Sequence, residues 1–414
     1  MVNVRPFRGL RPVPEKVGDV ASPPYDVLNS EEARRLADGN PVSFLHVVKP
    51  EIDLPPSVDL YSEKVYEKGR ENLDRLVSDG ILIRDPEPAF YLYRLIMGEI
   101  EQTGLVAGAS IEDYENDRIK KHELTRADKE ADRIRHVDRL NANTGPVFLT
   151  YRARPEMDRM TERITESPPL YDFTGDDGVR HTLWKVDDPE TLAGIEDLFE
   201  RIDFLYVADG HHRSASGTAV GKQRREADPH HTGEEDYNYF LAVIFPHDRL
   251  NIMDYNRVVK DLNGLSPEEF LEKISDSFEI VEKTGPTPAR PRARHTFGMY
   301  LKGEWYLLKA RPGCFDEGDP VQSLDVSILQ NNLLSPVLGI ENPREDDRID
   351  FVGGIRGLEE LARRVDEGEA VAFALYPTSI EELMAIADAG KMMPPKSTWF
   401  EPKLRSGVIV HPLE

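Results

Sequence analysis

The sequence is poor in the residues that make cross-links. It has one cysteine, Cys314, so no intramolecular disulfide and no zinc site built from several cysteines is possible. Cys314 stands in a polar turn with no activating group beside it and is interpreted as an incidental thiol. The adjacent His230 and His231 fit no known spacing of metal ligands. No metal site is therefore predicted from these residues.

Long apolar runs are also missing. No stretch approaches the ~18–20 apolar residues that cross a bilayer. The segment Met1–Pro6 lacks the apolar core of a secretory signal. The sequence therefore predicts a cytoplasmic protein that makes no contact with membranes.

Positive charge is in deficit. The chain has 52 Lys and Arg against 76 Asp and Glu, a net charge of −24, and no long Lys/Arg block. Proteins that neutralise a nucleic-acid backbone usually present a basic face, so general nucleic-acid binding is disfavoured. A local basic pocket for a small phosphate-bearing molecule remains compatible with an acidic exterior.

The pattern of apolar and turn residues indicates an α+β fold of mixed sheets with hairpins and flanking helices, without regular β-α alternation. The length favours two domains, which we place at 1–265 and 266–414. Strands are predicted at 89–93, 105–109, 147–151, 181–186, 204–208, 239–245, 251–253, 296–301, 305–309 and 371–375. Helices are predicted at 58–80, 214–225, 266–278, 325–338, 355–366 and 379–389, and the charged stretch 111–139 is predicted to form a helix or a pair of helices.

The strongest chemical signal is the polar loop Asp209–Arg213, which follows an apolar strand and precedes a helix. An anion at this position gains the unpaired amides of the first helical turn, and Arg213 adds a planar fork suited to phosphate oxygens. Asp209 is a candidate to hold a metal ion or to orient a histidine, and His211 or His212 can move a proton near neutral pH. The alternative is a capped helix whose histidines form local hydrogen bonds.

A second polar cluster covers 119–136. On a helix, Lys129, Asp132, Arg133 and His136 share one face. This face is either a solvated, ion-paired surface or part of a binding site. The neighbouring turn 141–145 contains Asn143 and Thr144 and is of a kind that often binds ligands. Its presence strengthens the case for a binding site.

Two further segments are open to two interpretations each. The rigid stretch Ser22–Asp26 either packs Tyr25 or presents Tyr25 and Asp26 to a pocket. The tail 392–407 either closes over an anion with its cations, or docks as a terminal strand, which we favour because termini need anchoring. We expect the tail to meet the 122–136 and 209–213 segments in one composite site.

Several of these segments carry a resemblance to a known family. Over essentially its whole length the sequence resembles the bacterial and archaeal family catalogued as domain of unknown function 1015. The motifs that carry the resemblance are Arg5–Pro12, Ala21–Val27, the block from Lys121–Glu123 to Asp132–Arg133, Asn141–Pro146, Ala208–Arg213 and Pro394–Phe400.

The Asp-Gly-His-His-Arg loop is similar to the signature of the ParB/sulfiredoxin-like superfamily, in which it contacts nucleotide phosphates. That superfamily includes small kinases of free L-serine. The resemblance implies a ParB-like core around the strand-loop-helix 204–225. It also implies phosphate contacts from Gly210 and Ser214, stabilisation of transferred charge by Arg213, and a catalytic glutamate ahead of the loop, for which Glu123 is the candidate.

Together these observations predict an enzyme of the kinase or phosphotransferase type. It would use a nucleotide, ATP or ADP with Mg²⁺ as a possible companion, to transfer or hydrolyse phosphate on a small hydroxylated metabolite, with serine or phosphoserine as the leading candidate. The alternative is a non-catalytic, ParB-like nucleotide-binding regulator. The expected site residues are Asp209, His211, His212 and Glu123 for catalysis, Gly210, Arg213, Ser214, Arg133 and Lys396 for the nucleotide phosphates, and Tyr25, Asp26, His122, Asn143 and Thr144 for the substrate.

Overall fold

The computed structural model describes residues 1–414, which form two compact units. The first unit comprises Met1–Leu250 and Pro402–Glu414, and the second comprises Asn251–Glu401. The second unit is therefore an insertion in the sequence of the first. A division into domains after residue 265 stays a prediction.

The chain forms many short strands and 13 α-helices. The strands are β1 Val4–Arg5, β2 Leu10–Pro12, β3 Leu82–Arg84, β4 Phe90–Met97, β5 Ile100–Ser110, β6 Ile119–Lys120, β7 Ala142–Asn143, β8 Val147–Tyr151, β9 Tyr171–Thr174, β10 Arg180–Val186, β11 Leu205–Asp209, β12 Tyr239–Pro246, β13 Ile252–Met253, β14 Tyr255–Val259, β15 Phe278–Gly285, β16 Thr296–Leu301, β17 Glu304–Ala310, β18 Ile349–Gly353, β19 Val371–Leu375, β20 Trp399–Phe400 and β21 His411–Pro412. The helices are α1 Val17–Val20, α2 Ser30–Ala37, α3 Leu45–Val48, α4 Glu63–Ser78, α5 Ile111–Glu115, α6 Ala127–Leu140, α7 Pro155–Thr165, α8 Pro189–Glu200, α9 His211–Ala227, α10 Pro267–Ile274, α11 Asp325–Leu329, α12 Gly357–Asp366 and α13 Ile380–Asp388.

The first unit is built on a nine-stranded mixed sheet. Its order is β6-β11-β8-β12-β5-β4-β10-β9, with β1 paired to β5. The pairs β6–β11 and β8–β12 are parallel, and the other pairs are antiparallel. Every residue of β8 and β12 is buried, as expected for central strands covered on both faces. This sheet positions the end of β11, where the polar cluster begins.

Helix α9 packs closely because its inner face is made of small residues. A Cβ on Gly217 would lie 2.9 Å from the Cβ of Phe240, and a Cβ on Gly221 would lie 2.3 Å from the carbonyl oxygen of Tyr237. Backbone atoms cannot move aside as a flexible side chain can. The glycines therefore fix how near the helix, and the polar residues at its start, approach the sheet.

We expect Gly221→Ala to lower the free energy of unfolding by about 1–3 kcal/mol, because the added methyl group overpacks the contact with Tyr237. The matched control is Gly18→Ala in α1, where a Cβ would meet nothing within 4 Å. The control should leave stability unchanged or raise it by up to ~1 kcal/mol, since alanine loses less chain entropy on folding. Urea titrations of both variants measure the difference, and equal effects would contradict the packing argument.

The second unit has its own sheet and core. Six antiparallel strands are ordered β15-β17-β16-β19-β14-β18, and a small sheet pairs β13 with β20. Helix α12 packs on the large sheet through Leu358 and Leu361, which share a buried cluster with Trp305 of β17. Helices α10 and α13 begin with capping boxes at Ser266 and Ser379, which pair backbone donors that would otherwise lack partners.

The predicted fold class is confirmed in its coarse form, a mixture of helices and several sheets. Each predicted strand region contains a strand, whereas several predicted helices need correction. The charged stretch 111–139 forms the pair of helices α5 and α6, one of its two predicted forms, and they are separate because Asp117 takes a left-handed φ of 54° and the chain then forms β6. Helix 325–338 is α-helical only to Leu329 and continues as a π-helix over Gln330–Leu334. Helices α1, α2, α3, α7 and α8 were not predicted. No helix of the structure is both long and apolar enough to cross a membrane.

Candidate functional site

The polar cluster lies at the junction of β11 and α9. Asp209 is the last residue of β11, and Gly210, with a φ of 94°, is the N-cap of α9. This left-handed conformation is easy only for glycine, and it lets the helix begin at once. The predicted helix start at 214 is therefore wrong. His211, His212 and Arg213 occupy the first helical turn and do not lie in a loop.

Asp209 is held from two sides. One carboxylate oxygen accepts a hydrogen bond of 2.8 Å from the Gly210 amide, and the other accepts one of 2.8 Å from the Lys403 ammonium. Burial alone would raise the pKa of Asp209, but the charges of Lys403 and Arg213 outweigh it and hold that pKa well below its usual range. Asp209 is therefore an anion at neutral pH.

His211 and His122 form a buried pair. Their ring centroids lie 4.4 Å apart with the planes at 90°, and both side chains are buried. Nε2 of His211 and Nδ1 of His122 are buried without a hydrogen-bond partner. Burial lowers the pKa of His122 to about 4, although Asp209 opposes the shift. Burial and the neighbouring His122 lower the pKa of His211, so both rings are neutral at pH 7.

His212 joins α9 to the segment ahead of α6. Its Nε2 accepts a hydrogen bond of 3.0 Å from the backbone amide of Arg126. Burial lowers the pKa of His212, while Asp26 and Glu130 oppose the shift. The expected encounter of the 122–136 segment with the cluster is therefore present, through His212 as well as through His122.

Arg213 points into the protein and not into solvent. One terminal nitrogen donates to the carbonyl of Pro146 at 2.5 Å, and the other donates to Asp26 at 2.8 Å. Nε is buried without a partner. Burial would lower the pKa of Arg213, but Asp26 and Asp209 raise it overall. The guanidinium is thus a permanent cation whose Nε–H has no acceptor.

Two guanidinium groups lie close to the ring of Tyr25. The ring centroid is 4.2 Å from the guanidinium carbon of Arg133 and 5.9 Å from that of Arg213. Arg133 also pairs with Asp132 at 2.6 Å. Burial and the charge of Asp26 raise the pKa of Tyr25 to about 12, so its hydroxyl stays protonated. The Ser22–Asp26 stretch thus meets Arg213, as one of its two interpretations anticipates.

Tyr25, Arg133 and Arg213 line a small cavity of about 30 Å³, whereas Asp209, His122, His211 and His212 are not part of its lining. That volume is close to the share of one water molecule in the liquid, so a nucleotide enters only if the lining side chains move. The polar residues of the lining are Tyr25, Arg133, His136, Asn143, Thr144, Arg213, Ser216 and Ser406.

The other predicted site residues have different surroundings. The hydroxyl of Ser214 is fully buried and donates to the carbonyl of His211 at 3.1 Å. Glu123 is half-buried in the segment between β6 and α6. Lys396 belongs to the second unit. The roles assigned to these three residues stay predictions, and no group of three or more His, Cys, Asp or Glu is placed to hold a metal ion.

Lys403 contacts Asp209 but is not among the site residues that the sequence predicts. The tail 392–407 was singled out for its cations, but Lys396 was chosen from it. The sequence offers one signal for Lys403. An ionised carboxylate at the end of a buried strand, such as Asp209, needs a cation nearby. Because 194 residues separate the two partners, spacing along the chain gives no means of choosing among the cations of the tail.

Comparison with known proteins gives one family match. The model of a family described as protein of unknown function (DUF1015) matches residues 4–327. No curated protein matches the chain.

Similar solved structures include a free serine kinase in complex with AMP, with 16% identity over 69% of this chain and 84% of the other and a TM-score of 0.33. A mutant of a free serine kinase in complex with ADP gives the same identity and coverage and a TM-score of 0.35. C-terminally truncated SbnI from Staphylococcus aureus gives 12% identity over 73% and 85% of the two chains and a TM-score of 0.36. TM-scores this low do not establish a shared fold.

Proposed function

The chain belongs to the DUF1015 family, and for this member we propose an enzyme that binds a nucleotide phosphate at the start of α9 and transfers or hydrolyses a phosphoryl group. Its second substrate would be a small hydroxylated metabolite, with serine or phosphoserine as the leading candidate. The observation that carries the proposal is Arg213, a buried cation at the first turn of a 17-residue helix, with Nε unpartnered.

The start of α9 suits a phosphate for two reasons. The first amides of a helix lack partners within the helix, and the helix dipole is positive at this end. Arg213 and Arg133 add two guanidinium groups close to the Tyr25 ring, and such planar forks match phosphate oxygens. Asp26 now occupies one donor of Arg213 and is exposed at the surface, so an incoming phosphate can displace it into water.

The chemistry of transfer needs a proton acceptor and stabilisation of the moving charge. Neutral His211, paired with His122, is our candidate to take the proton of the attacking hydroxyl or water. Arg213 is the candidate that stabilises the negative oxygens of the transferred group. Glu123, two residues ahead of Thr125, remains the candidate acid or base implied by the family resemblance.

Mg²⁺ enters the proposal as the companion ion of the nucleotide, with Asp209 as its candidate ligand. Carboxylate oxygen is the ligand type that Mg²⁺ prefers. Asp209 is already paired with Lys403, so a metal ion at this position requires Lys403 to release the carboxylate and move to the phosphate. The Asp209–Ser214 stretch is also the part of the chain similar to the ParB/sulfiredoxin-like signature.

Thermal unfolding of the purified protein with ATP, ADP, AMP, pyrophosphate, serine and phosphoserine, each with and without Mg²⁺, tests the proposal. A nucleotide that binds only the folded state should stabilise it by about 2.7 kcal/mol at a concentration of 100 Kd. We expect a nucleotide to raise the melting temperature. The rise should be larger when serine or phosphoserine is added, because the nucleotide and the metabolite then occupy one site together. An unchanged melting curve with every nucleotide would contradict the proposal.

A further inference from the structure

Arg257, in β14 of the second unit, is a buried cation without a carboxylate partner. It is 3% exposed. One terminal nitrogen donates to the backbone carbonyl of Tyr255, and the other donates to the carbonyl of Lys396 at 2.9 Å. Most buried charges in proteins are paired with an opposite charge, so the arrangement around Arg257 calls for an explanation.

The loop that supplies one of these carbonyls is strained. Lys396 has a φ of 58°, in the left-handed region that residues other than glycine seldom adopt. The loop is fixed by hydrogen bonds from the Ser397 hydroxyl to the Pro394 carbonyl at 2.7 Å and from the Thr378 hydroxyl to the Ser397 carbonyl at 2.9 Å. The strained conformation turns the carbonyl of Lys396 towards Arg257.

The same loop brings a second cation to an aromatic surface. The ammonium of Lys396 lies 5.6 Å from the ring centroid of Tyr255, and the guanidinium carbon of Arg257 lies 5.2 Å from that of Phe351. The rings of Tyr255 and Phe351 are themselves neighbours, with centroids 6.0 Å apart. Cation–π contacts offset only part of the cost of removing a guanidinium from water.

We propose that Arg257 and the loop Pro394–Ser397 form an oxyanion-binding site in the second unit, for the phosphate or carboxylate group of a small ligand. A guanidinium has five N–H donors, of which backbone carbonyls take two, and the planar fork matches an oxyanion. Burial lowers the pKa of Arg257 to about 10, which leaves the side chain charged at neutral pH. This site goes beyond the proposed function, because it uses neither Arg213 nor the start of α9.

Isothermal titration of the full chain with inorganic phosphate and with acetate, at constant ionic strength, tests the site. The variant Arg213→Ala serves as the background, so that binding at the start of α9 does not contribute. We expect this variant to bind one phosphate or one acetate, and the tighter of the two tells which group the site prefers. Adding Arg257→Met should raise Kd at least tenfold, and adding Arg257→Lys should raise it by less, because the charge remains while the fork is lost.

Lys396→Gly provides a second route that does not depend on Arg257. Glycine keeps the carbonyl that faces Arg257 and accepts the left-handed φ, so the fold should survive while the ammonium is lost. We expect Kd to rise several-fold. The site is refuted if Arg213→Ala binds neither anion, or if neither Arg257→Lys nor Lys396→Gly changes Kd. Loss of the nucleotide response in Arg213→Ala with phosphate binding intact would separate this site from the proposed active site.

Discussion

Far less urea should unfold the protein at pH 5 than at pH 7, because three histidines are buried in their neutral form. Burial lowers the pKa of His122 to about 4, of His136 to about 3 and of His181 to about 4. In the unfolded chain a histidine has a pKa of about 6.5. Between these values the unfolded chain binds protons that the folded chain does not, so stability falls as the pH falls.

The size of the effect follows from the shifts. One pKa unit corresponds to about 1.36 kcal/mol. Each of the three histidines therefore lowers the free energy of unfolding by about 2 kcal/mol at pH 5 relative to pH 7. Their sum of about 6 kcal/mol approaches the whole stability of an ordinary protein, about 5–15 kcal/mol. The loss should be absent above pH ~6.5 and should grow until the pH nears the folded pKa values.

His136→Gln is the informative variant for this prediction. Nε2 of His136 lies 3.0 Å from the carbonyl of Val47, and a glutamine amide can donate to that carbonyl without titrating. The dependence of stability on pH between 5 and 6 should fall by about 1 kcal/mol per pH unit. His230→Gln, at an exposed histidine, should leave it unchanged. Equal urea midpoints of the wild type at pH 5 and pH 7 would show that the buried rings take up protons freely.

Replacing Arg213 by alanine should abolish nucleotide binding and most of the activity. Hydrogen bonds to a charged group contribute about 1.5–3 kcal/mol each, so losing one bidentate phosphate contact should raise Kd by at least about 100-fold. Arg213→Lys should recover only a small part, because an ammonium keeps the charge and lacks the fork. Titration calorimetry with the nucleotide that gives the largest thermal shift measures the change.

The control for Arg213 is an arginine with a similar partner and no place in the site. Arg180 pairs with Asp172 at 2.6 Å in the same unit, and both side chains are exposed. Arg180→Ala should leave Kd unchanged and alter stability little, since exposed ion pairs contribute about 0–1 kcal/mol. If Arg180→Ala weakens nucleotide binding as much as Arg213→Ala does, the loss of one positive charge explains both results. The proposed contact between Arg213 and the phosphate would then be wrong.

Ten of the 21 strands lie in predicted regions, because apolar runs bounded by turn residues mark them directly. The strand Val147–Tyr151 was placed with its correct ends. Helices were harder, because a charged stretch such as 111–139 has strong helical character locally while one residue, Asp117, breaks it. The start of α9 was misplaced for a related reason: in the sequence, Gly210 indicates a turn, whereas in the fold it caps the helix.

The site was predictable in its chemistry and less so in its contacts. Adjacent histidines between Asp209 and Arg213 marked the cluster, and the Asn143–Thr144 turn was found in the same cavity as Arg213. The ion pairs Arg213–Asp26 and Asp209–Lys403 could not be deduced, because the two partners of each pair lie far apart in the sequence. Contacts across such distances depend on strand order, which a single sequence does not encode locally.

The return of the chain to the first unit at Pro402 bears on how this protein is made. Val408, Ile409 and Val410 are buried, Val410 bridges to Leu10, and β21 pairs with β7. A ribosome releases these residues after the inserted second unit has emerged whole. The first unit therefore completes its core only after the second unit has been synthesised. Because Lys403 arrives with the same segment, a chain that stops short of it has neither a closed core nor the cation that holds Asp209.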